Sequence, residues 1–440
     1  MKNVVAPAQG VEIVRVLPAS ESGDLAGFCL DSPAADSHQE TYTVPLAGWV
    51  IGRERPVRDV AVSYDEQVLR CTPVALERPD VAAVHGEAGS VSGFDTAIGV
   101  ASLPREGRLG IHACFEDGTF SALAEIDYRR CPLNSGFSPR LQPLMVTSLF
   151  RMGTTRLMRL LSEHPEIVVE RSYPYETCVA SYWIHAFKIL TEPANLHESS
   201  HPNDFVEQRR WIGHNPFCRP PITANPEVAR WLGRGAIEEV AAFCQHAAER
   251  FYHSVASGQD EGSPRYFAEK HLPDSHVPDT LHEWYTGARE VFLVRDLRDV
   301  ICSMLAFNEK RGFPSFGRQK VDSDEEMIEL FAERCLRLAN AWQRRSAAAM
   351  LVRYEDLVRE PAEVMTAVLR HVGLDDSAAT VGELIERADG ESEEMDFHRT
   401  TKSPGCSIGR WREDLPEGMA SLARELLDLP LAVFGYEPTA

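Results

Sequence analysis

The stretch LMVTSLFRMGTTRLMRLLSEHPEIV, from Leu144 to Val168, does most to limit what this chain can fold into. It reads as a hydrophobic strand, a tight turn and an amphipathic helix, the layout of a phosphate-binding loop. On the template Gly-x4-Gly-Lys-Ser/Thr, Ser148 takes the first glycine position, Gly153 the second and Thr155 the hydroxyl position. Thr154 stands where a nucleotide triphosphatase carries lysine. Gly153 lets the backbone approach an anion closely, and the following helix points its free N–H groups and positive dipole end at that anion. Leu157, Leu160 and Leu161 bury one helical face. The cation has moved rather than vanished: Arg151 lies two residues before the glycine, and a guanidinium forks onto phosphate or sulfate oxygens.

Around this stretch the chain changes character. Up to about residue 130, short β-branched and aromatic runs such as VEIVRVLP and VRDVAVSYDEQVLRCTPV alternate with breaks rich in Pro, Gly, Asp and Ser. EDGT, between two such runs, is a hairpin signal because Asp-Gly suits turns that match strand twist. Regular strand spacing without helices predicts a β-sandwich over 1–130. Residues 131–142, rich in proline and without periodicity, read as a linker. From 143 to 440, strands alternate with long helical patterns, which predicts an α/β domain with a mainly parallel sheet. In EEMIELFAERCLRLANAWQRRS, Ile328, Phe331, Cys335, Leu338 and Trp342 recur on one helical face.

The chain has 440 residues, enough for two domains, and its 45 basic and 66 acidic residues give a formal charge of −21. That balance excludes a nucleic-acid partner, which needs a basic footprint. An anionic small ligand remains compatible where arginines gather locally. The ten cysteines form no Cys-x-x-Cys pair, so a zinc or redox motif has no support. The start of the chain lacks a signal-peptide pattern and no segment reaches the length of a membrane span, so a cytoplasmic location is expected. Oligomeric state is not legible.

Three further stretches add basic and hydroxyl side chains. EVFLVRDLRDVICSMLAF reads as strand then helix, with Arg295 at the strand end and Ser303 eight residues later. Helical side chains lean toward the N-terminus, so the two can share an anion. MLVRYEDLVREP reads as another strand passing into a helix, with Glu355 and Asp356 suited to a first turn. HRTTKSPGCSIGRWREDLP gathers Arg399, Lys402, Ser403, Arg410 and Arg412 in one loop.

With these four segments in order, the sequence resembles the sulfotransferases that use 3′-phosphoadenosine 5′-phosphosulfate (PAPS). Their loop typically reads Arg/Lys-Ser-Gly-Thr-Thr, and RMGTT matches it except at Met152. Their 3′-phosphate site pairs an arginine with a serine eight residues on, as Arg295 and Ser303 do, and YEDL and SIGRW are similar to recurring family segments. The resemblance runs from about Leu144 to Leu415 and leaves out the β-rich part. It implies an α/β fold: a parallel-sheet, P-loop-like sulfotransferase domain preceded by a β-sandwich-like domain. It further implies PAPS as co-substrate, no metal requirement, and a small-molecule or glycan acceptor.

Residue by residue, the resemblance assigns the donor to Arg151, Met152, Gly153, Thr154, Thr155, Arg156, Arg295, Ser303, Tyr354, Lys402, Ser403 and Arg410. Arg156 takes a position where relatives place an aromatic that stacks on adenine. For the base, AEKHLPDS offers Lys270 and His271 and is similar to the Lys-Thr-His-Leu-Pro stretch of cytosolic sulfotransferases, one residue shorter. In an extended segment that shortening turns one of the two to the opposite face. His271 is the first expectation. Glu170 and Glu176, after a His-Pro segment similar to that of protein-tyrosine sulfotransferases, are the rivals. The region of about 171–289 is expected to be helical and to supply the acceptor pocket, with Tyr173, Tyr175, Tyr182, Trp183, Trp211, Phe217 and Trp231 as its aromatics. Two other functions remain open. One is a P-loop kinase or nucleotide hydrolase with Asp296 holding a metal. The other is a catalytically silent carbohydrate or metabolite binder.

Overall fold

Alternation of buried and exposed residues builds the first part of the chain strand by strand. A computed structural model describes residues 10–20, 23–65, 67–193, 225–259, 263–273, 277–388 and 399–437. Strands β1 (Val11–Pro18), β2 (Leu25–Ser32), β3 (Ser37–Gln39), β4 (Thr43–Gly52), β5 (Val57–Tyr64), β6 (Gln67–Pro73), β7 (Leu76–Glu77), β8 (Val91–Gly99), β9 (Glu106–Phe115) and β10 (Phe120–Arg130) form two antiparallel sheets. One runs β3-β1-β10-β9-β5-β6 and the other β2-β4-β8-β7. The Asp117–Gly118 turn joins β9 to β10 as expected, with Gly118 at φ 81°. Val60 and Val62 of one sheet share a buried core with Leu46 and Phe94 of the other, which makes the pair a sandwich.

By contacts, the described residues fall into two compact units. The first takes Met1–Ser138, Tyr182–Ala247 and His276–Trp284; the second takes Pro139–Ser181, Ala248–Ser275 and Tyr285–Ala440. One break lies inside the expected linker. The expected acceptor region of 171–289, by contrast, is divided between the units. Polar bonds explain why its segments join the sandwich. Tyr42 donates to Glu238 Oε1 at 2.8 Å, Thr280 donates to Ser102 O at 2.9 Å, and buried Arg130 forks onto Glu283.

In the second unit, five parallel strands run in the order β12-β13-β11-β14-β15. They are β11 (Gln142–Thr147), β12 (Ile167–Val169), β13 (Tyr266–His271), β14 (Arg289–Val294) and β15 (Met350–Arg353). The two-residue period of a strand separates the two faces. Val291 and Leu293 of β14 pack with helices Thr154–Leu161 and Pro361–Val372, whereas Phe292 and Val294 pack with helices Leu297–Arg311, Asp324–Arg345 and Glu417–Val433. The face read for Asp324–Arg345 is the buried one at Ile328, Phe331, Cys335 and Leu338. Strand β11 lies between β13 and β14, so their C-terminal ends open at one edge of the sheet, where open α/β sheets place ligands. No helix among the described residues is long and apolar enough to cross a membrane.

Candidate functional site

The loop after β11 is pinned on both sides before it turns. Ser148 donates its amide to His271 O on β13 at 3.0 Å and its hydroxyl to Leu293 O on β14 at 2.7 Å. Arg151 then adopts φ 63° and Gly153 φ 92°, both left-handed. Glycine is required at 153 for a second reason: a Cβ there would sit 2.3 Å from Tyr354 Cδ2. Helix Thr154–Leu161 follows, burying Leu157, Met158, Leu160 and Leu161. Its opening residues Thr154, Thr155 and Arg156 face a cavity of about 400 Å³. Met152 departs from expectation. Its side chain is fully buried among Leu149, Phe292 and Leu297, because the left-handed residues on either side turn it into the core.

The opposite wall comes from β14 and helix Leu297–Arg311. Arg295 is 4% exposed, donates through Nη1 to Arg151 O at 3.2 Å, and lies 4.9 Å from the centre of the Tyr354 ring. Ser303 accepts from Arg151 Nε at 3.0 Å. The Arg151 guanidinium covers the Phe307 ring at 4.6 Å. Burial, then the neighbouring charge of Arg295, pulls Arg151 down to about 10. An anion bound between Arg151 and Arg295 would offset this like-charge repulsion. Asp296, the metal-holding carboxylate of the kinase alternative, caps the helix and forks onto Arg298, occupying both of its oxygens.

Strand β13 turns Lys270 and His271 to opposite sides. Glu269 and His271 face helix Val179–Thr191: Glu269 accepts from the Val179 and Ala180 amides at 2.6 and 3.2 Å, and His271 Nδ1 meets Ser181 Oγ at 2.8 Å. Lys270 points the other way and lines the cavity. Its Nζ lies 3.5 Å from both Thr155 Oγ1 and Glu176 Oε1, and burial pulls the ammonium down against the opposing charge of Glu176. Thus His271, the first expectation for the base, does not line the cavity, since adjacent strand residues face opposite sides. Nor does Glu170, whose carboxylate caps the Ser172 amide and hydroxyl at 3.1 and 2.8 Å. Glu176 does.

Of the C-terminal loop candidates, Ser403 lines the cavity, while Lys402 is exposed away from it. Arg410 also lies outside the lining, bonded to Asp414 at 2.5 Å and Thr400 at 3.2 Å. Tyr354 lines the cavity and shares a hydrogen bond with Ser407 at 3.1 Å. The expected donor residues Arg151, Gly153, Thr154, Thr155, Arg156, Arg295, Ser303, Tyr354 and Ser403 therefore converge. Among the described residues, six basic side chains (Arg151, Arg156, Lys270, Arg295, Arg311, Arg399) line this cavity against one carboxylate, Glu176.

Sequence reading missed an aromatic wall. Phe150 and Phe307 both pack on Phe316, with ring centres 5.0 and 5.3 Å apart, and all three line the cavity. Phe307, one turn beyond Ser303, carried a readable signal; Phe316 carried none. Of the aromatics expected near the acceptor, Tyr173 lines the cavity, whereas Tyr182 and Trp231 fall in the other unit. Trp211 and Phe217 lie outside the described residues.

Comparison with known proteins agrees with this region of the chain. The family model described as "Sulfotransferase family" matches residues 143–378. Carbohydrate sulfotransferase 3 of Rattus norvegicus is 28% identical over 162 residues, which make up 34% of this chain and 34% of that protein. The Mus musculus protein of the same name gives the same figures, so the match spans about a third of these curated relatives. Among solved structures, the sulfotransferase domain from the Synechococcus PCC 7002 olefin synthase is 18% identical, with a TM-score of 0.40, over 68% of this chain and 97% of that one. The sulfotransferase domain from the curacin biosynthetic pathway is 14% identical, with a TM-score of 0.37, over 68% and 100%.

Proposed function

From the premise that this chain belongs to the sulfotransferase family, we propose that it transfers a sulfuryl group from PAPS to a hydroxyl or amine of a small-molecule or glycan acceptor. One observation carries the reading. Arg151 after β11 and the Arg295–Ser303 pair after β14 line the same cavity and touch, with Arg151 Nε 3.0 Å from Ser303 Oγ. Two cationic ends within one cavity suit a nucleotide with phosphate at both its 3′ and 5′ positions.

In this reading, Arg295, Ser303 and the hydroxyls of Ser403 and Ser407 hold the 3′-phosphate. Arg151 and the first N–H groups of helix Thr154–Leu161 hold the 5′-phosphate. As the acceptor oxygen bonds to sulfur and the bond from sulfur to the 5′-phosphate oxygen breaks, those donors stabilise the charge growing on the departing oxygen. Lys270 neutralises charge on the sulfuryl oxygens. Glu176 takes the acceptor's proton, supported by its place on the cavity wall beside Lys270. The acceptor class we assign is a sugar or other ring-bearing alcohol. The name of the curated relatives supports it, as does the Phe150, Phe307 and Phe316 wall, against which the apolar face of a ring packs.

Calorimetry tests the donor assignment. Adenosine 3′,5′-bisphosphate is expected to bind at least about tenfold tighter than adenosine 5′-phosphate, a preference of about 1.4 kcal/mol that Arg295→Ala erases. Equal affinity of the wild-type protein for both nucleotides refutes it. Screening hydroxylated sugars, phenols and peptides for sulfate uptake from labelled donor tests the acceptor class.

A further inference from the structure

Asp299 lies within the stretch EVFLVRDLRDVICSMLAF without a role read for it there, and it is fully buried in the first turn of helix Leu297–Arg311. It stands four residues after Arg295 and four before Ser303. Its two oxygens accept two main-chain amides of the C-terminal loop: Gly409 N–H to Oδ2 at 2.6 Å and Trp411 N–H to Oδ1 at 3.0 Å. Gly409, at φ 74°, bends the chain so that both amides reach one carboxylate. Arg298, held by Asp296, stacks on the Trp411 ring at 4.0 Å and fixes the same segment from its other side.

The residue between those two amides is Arg410, which donates to Thr400 Oγ1 at 3.2 Å. Thr400 lines the cavity with its hydroxyl 3.5 Å from Ser303 Oγ. Earlier in the same loop, Ser407 O accepts from Arg295 Nη2 at 2.5 Å. One buried carboxylate thus ties the loop to the helix that starts just after Arg295 and carries Ser303.

We propose that Asp299 is a positioning residue for the 3′-phosphate pocket, fixing the C-terminal loop so that Thr400 and Ser407 stand beside Ser303 and Arg295. The inference rests on the reading of Arg295 and Ser303 as the 3′-phosphate pair. Asp299 itself touches neither nucleotide nor reacting atoms. A purely structural role would weaken every nucleotide alike; a positioning role at this pocket weakens only those carrying a 3′-phosphate.

The test is calorimetry of wild type and Asp299→Asn with adenosine 3′,5′-bisphosphate and with adenosine 5′-phosphate. Asparagine keeps one acceptor oxygen and replaces the other with an amino group. The expected result is a loss of about tenfold or more for the bisphosphate, the factor that 1.4 kcal/mol produces, and less than about twofold for the monophosphate. Equal losses for both nucleotides, or no loss in a folded variant, overturn the proposal. If wild type fails to distinguish the two nucleotides, the donor reading itself falls. Hydrogen exchange on the unaltered protein gives a second arm. The Gly409 and Trp411 amides should slow further with the bisphosphate and not with the monophosphate; identical slowing by both, or none, counts against the role.

Discussion

Gly153→Ala is the change whose cost can be worked out most directly. At φ 92° any residue with a Cβ loses about 1–2 kcal/mol. The added methyl would also lie 2.3 Å from Cδ2 and 2.6 Å from Cε2 of Tyr354, against the roughly 3.5 Å at which carbon atoms pack. The ring must therefore move by about 1 Å, and its hydroxyl leaves Ser407 Oγ, now 3.1 Å away, at a cost of about 1 kcal/mol. Its face also leaves the Arg295 guanidinium, now 4.9 Å from the ring centre, for about another 1 kcal/mol. The total is about 3–4 kcal/mol. For a unit of this size that lowers the unfolding midpoint by about 6 °C or more, and calorimetry should show weaker binding of adenosine 3′,5′-bisphosphate. A double-mutant cycle isolates the ring's share. In a Tyr354→Ala background, Gly153→Ala should cost only the conformational 1–2 kcal/mol or so. An equal cost in both backgrounds would show that Tyr354 is not what demands glycine here.

Two further outcomes follow from strand β13. Glu176→Gln should abolish sulfate transfer while His271→Ala keeps near-normal turnover; the reverse pattern in a steady-state assay would return the base to histidine. Burial pushes the Glu269 carboxyl up to about 7 from an ordinary 4.5, against the pull of its bonds from Tyr252, Ala180 and Val179. Protonated in the fold and ionised when unfolded, it contributes stability that is complete below about pH 4.5 and is lost as pH rises through 7. That loss is about 3 kcal/mol, so denaturant midpoints measured from pH 5 to 7.5 should fall less steeply in Glu269→Gln. Parallel slopes for the two proteins would contradict the assignment.

What the chain encodes locally was open to reading. The Asp117–Gly118 hairpin, the turn glycine at 153, the apolar stripe of Asp324–Arg345 and the eight-residue spacing of Arg295 and Ser303 each depend on neighbours within a few turns. Backbone torsion limits and helical periodicity act at that range, so motif and element coincide. The long-range decisions are different in kind. Lys270 rather than His271 faces the cavity because residues about ninety positions earlier, Ser181 and the start of its helix, occupy the other side of β13. Likewise Asp299 receives amides from 110 and 112 positions away, and the buried pair of Glu290 on β14 and Arg345 at the end of helix Asp324–Arg345 spans 55. The Phe150, Phe307 and Phe316 wall forms from three separate segments. The sequence by itself determined which basic and hydroxyl side chains stand beside which local turns. Which of them share one cavity was decided only by tertiary packing, because the face of a strand or helix becomes a site through what lies opposite it.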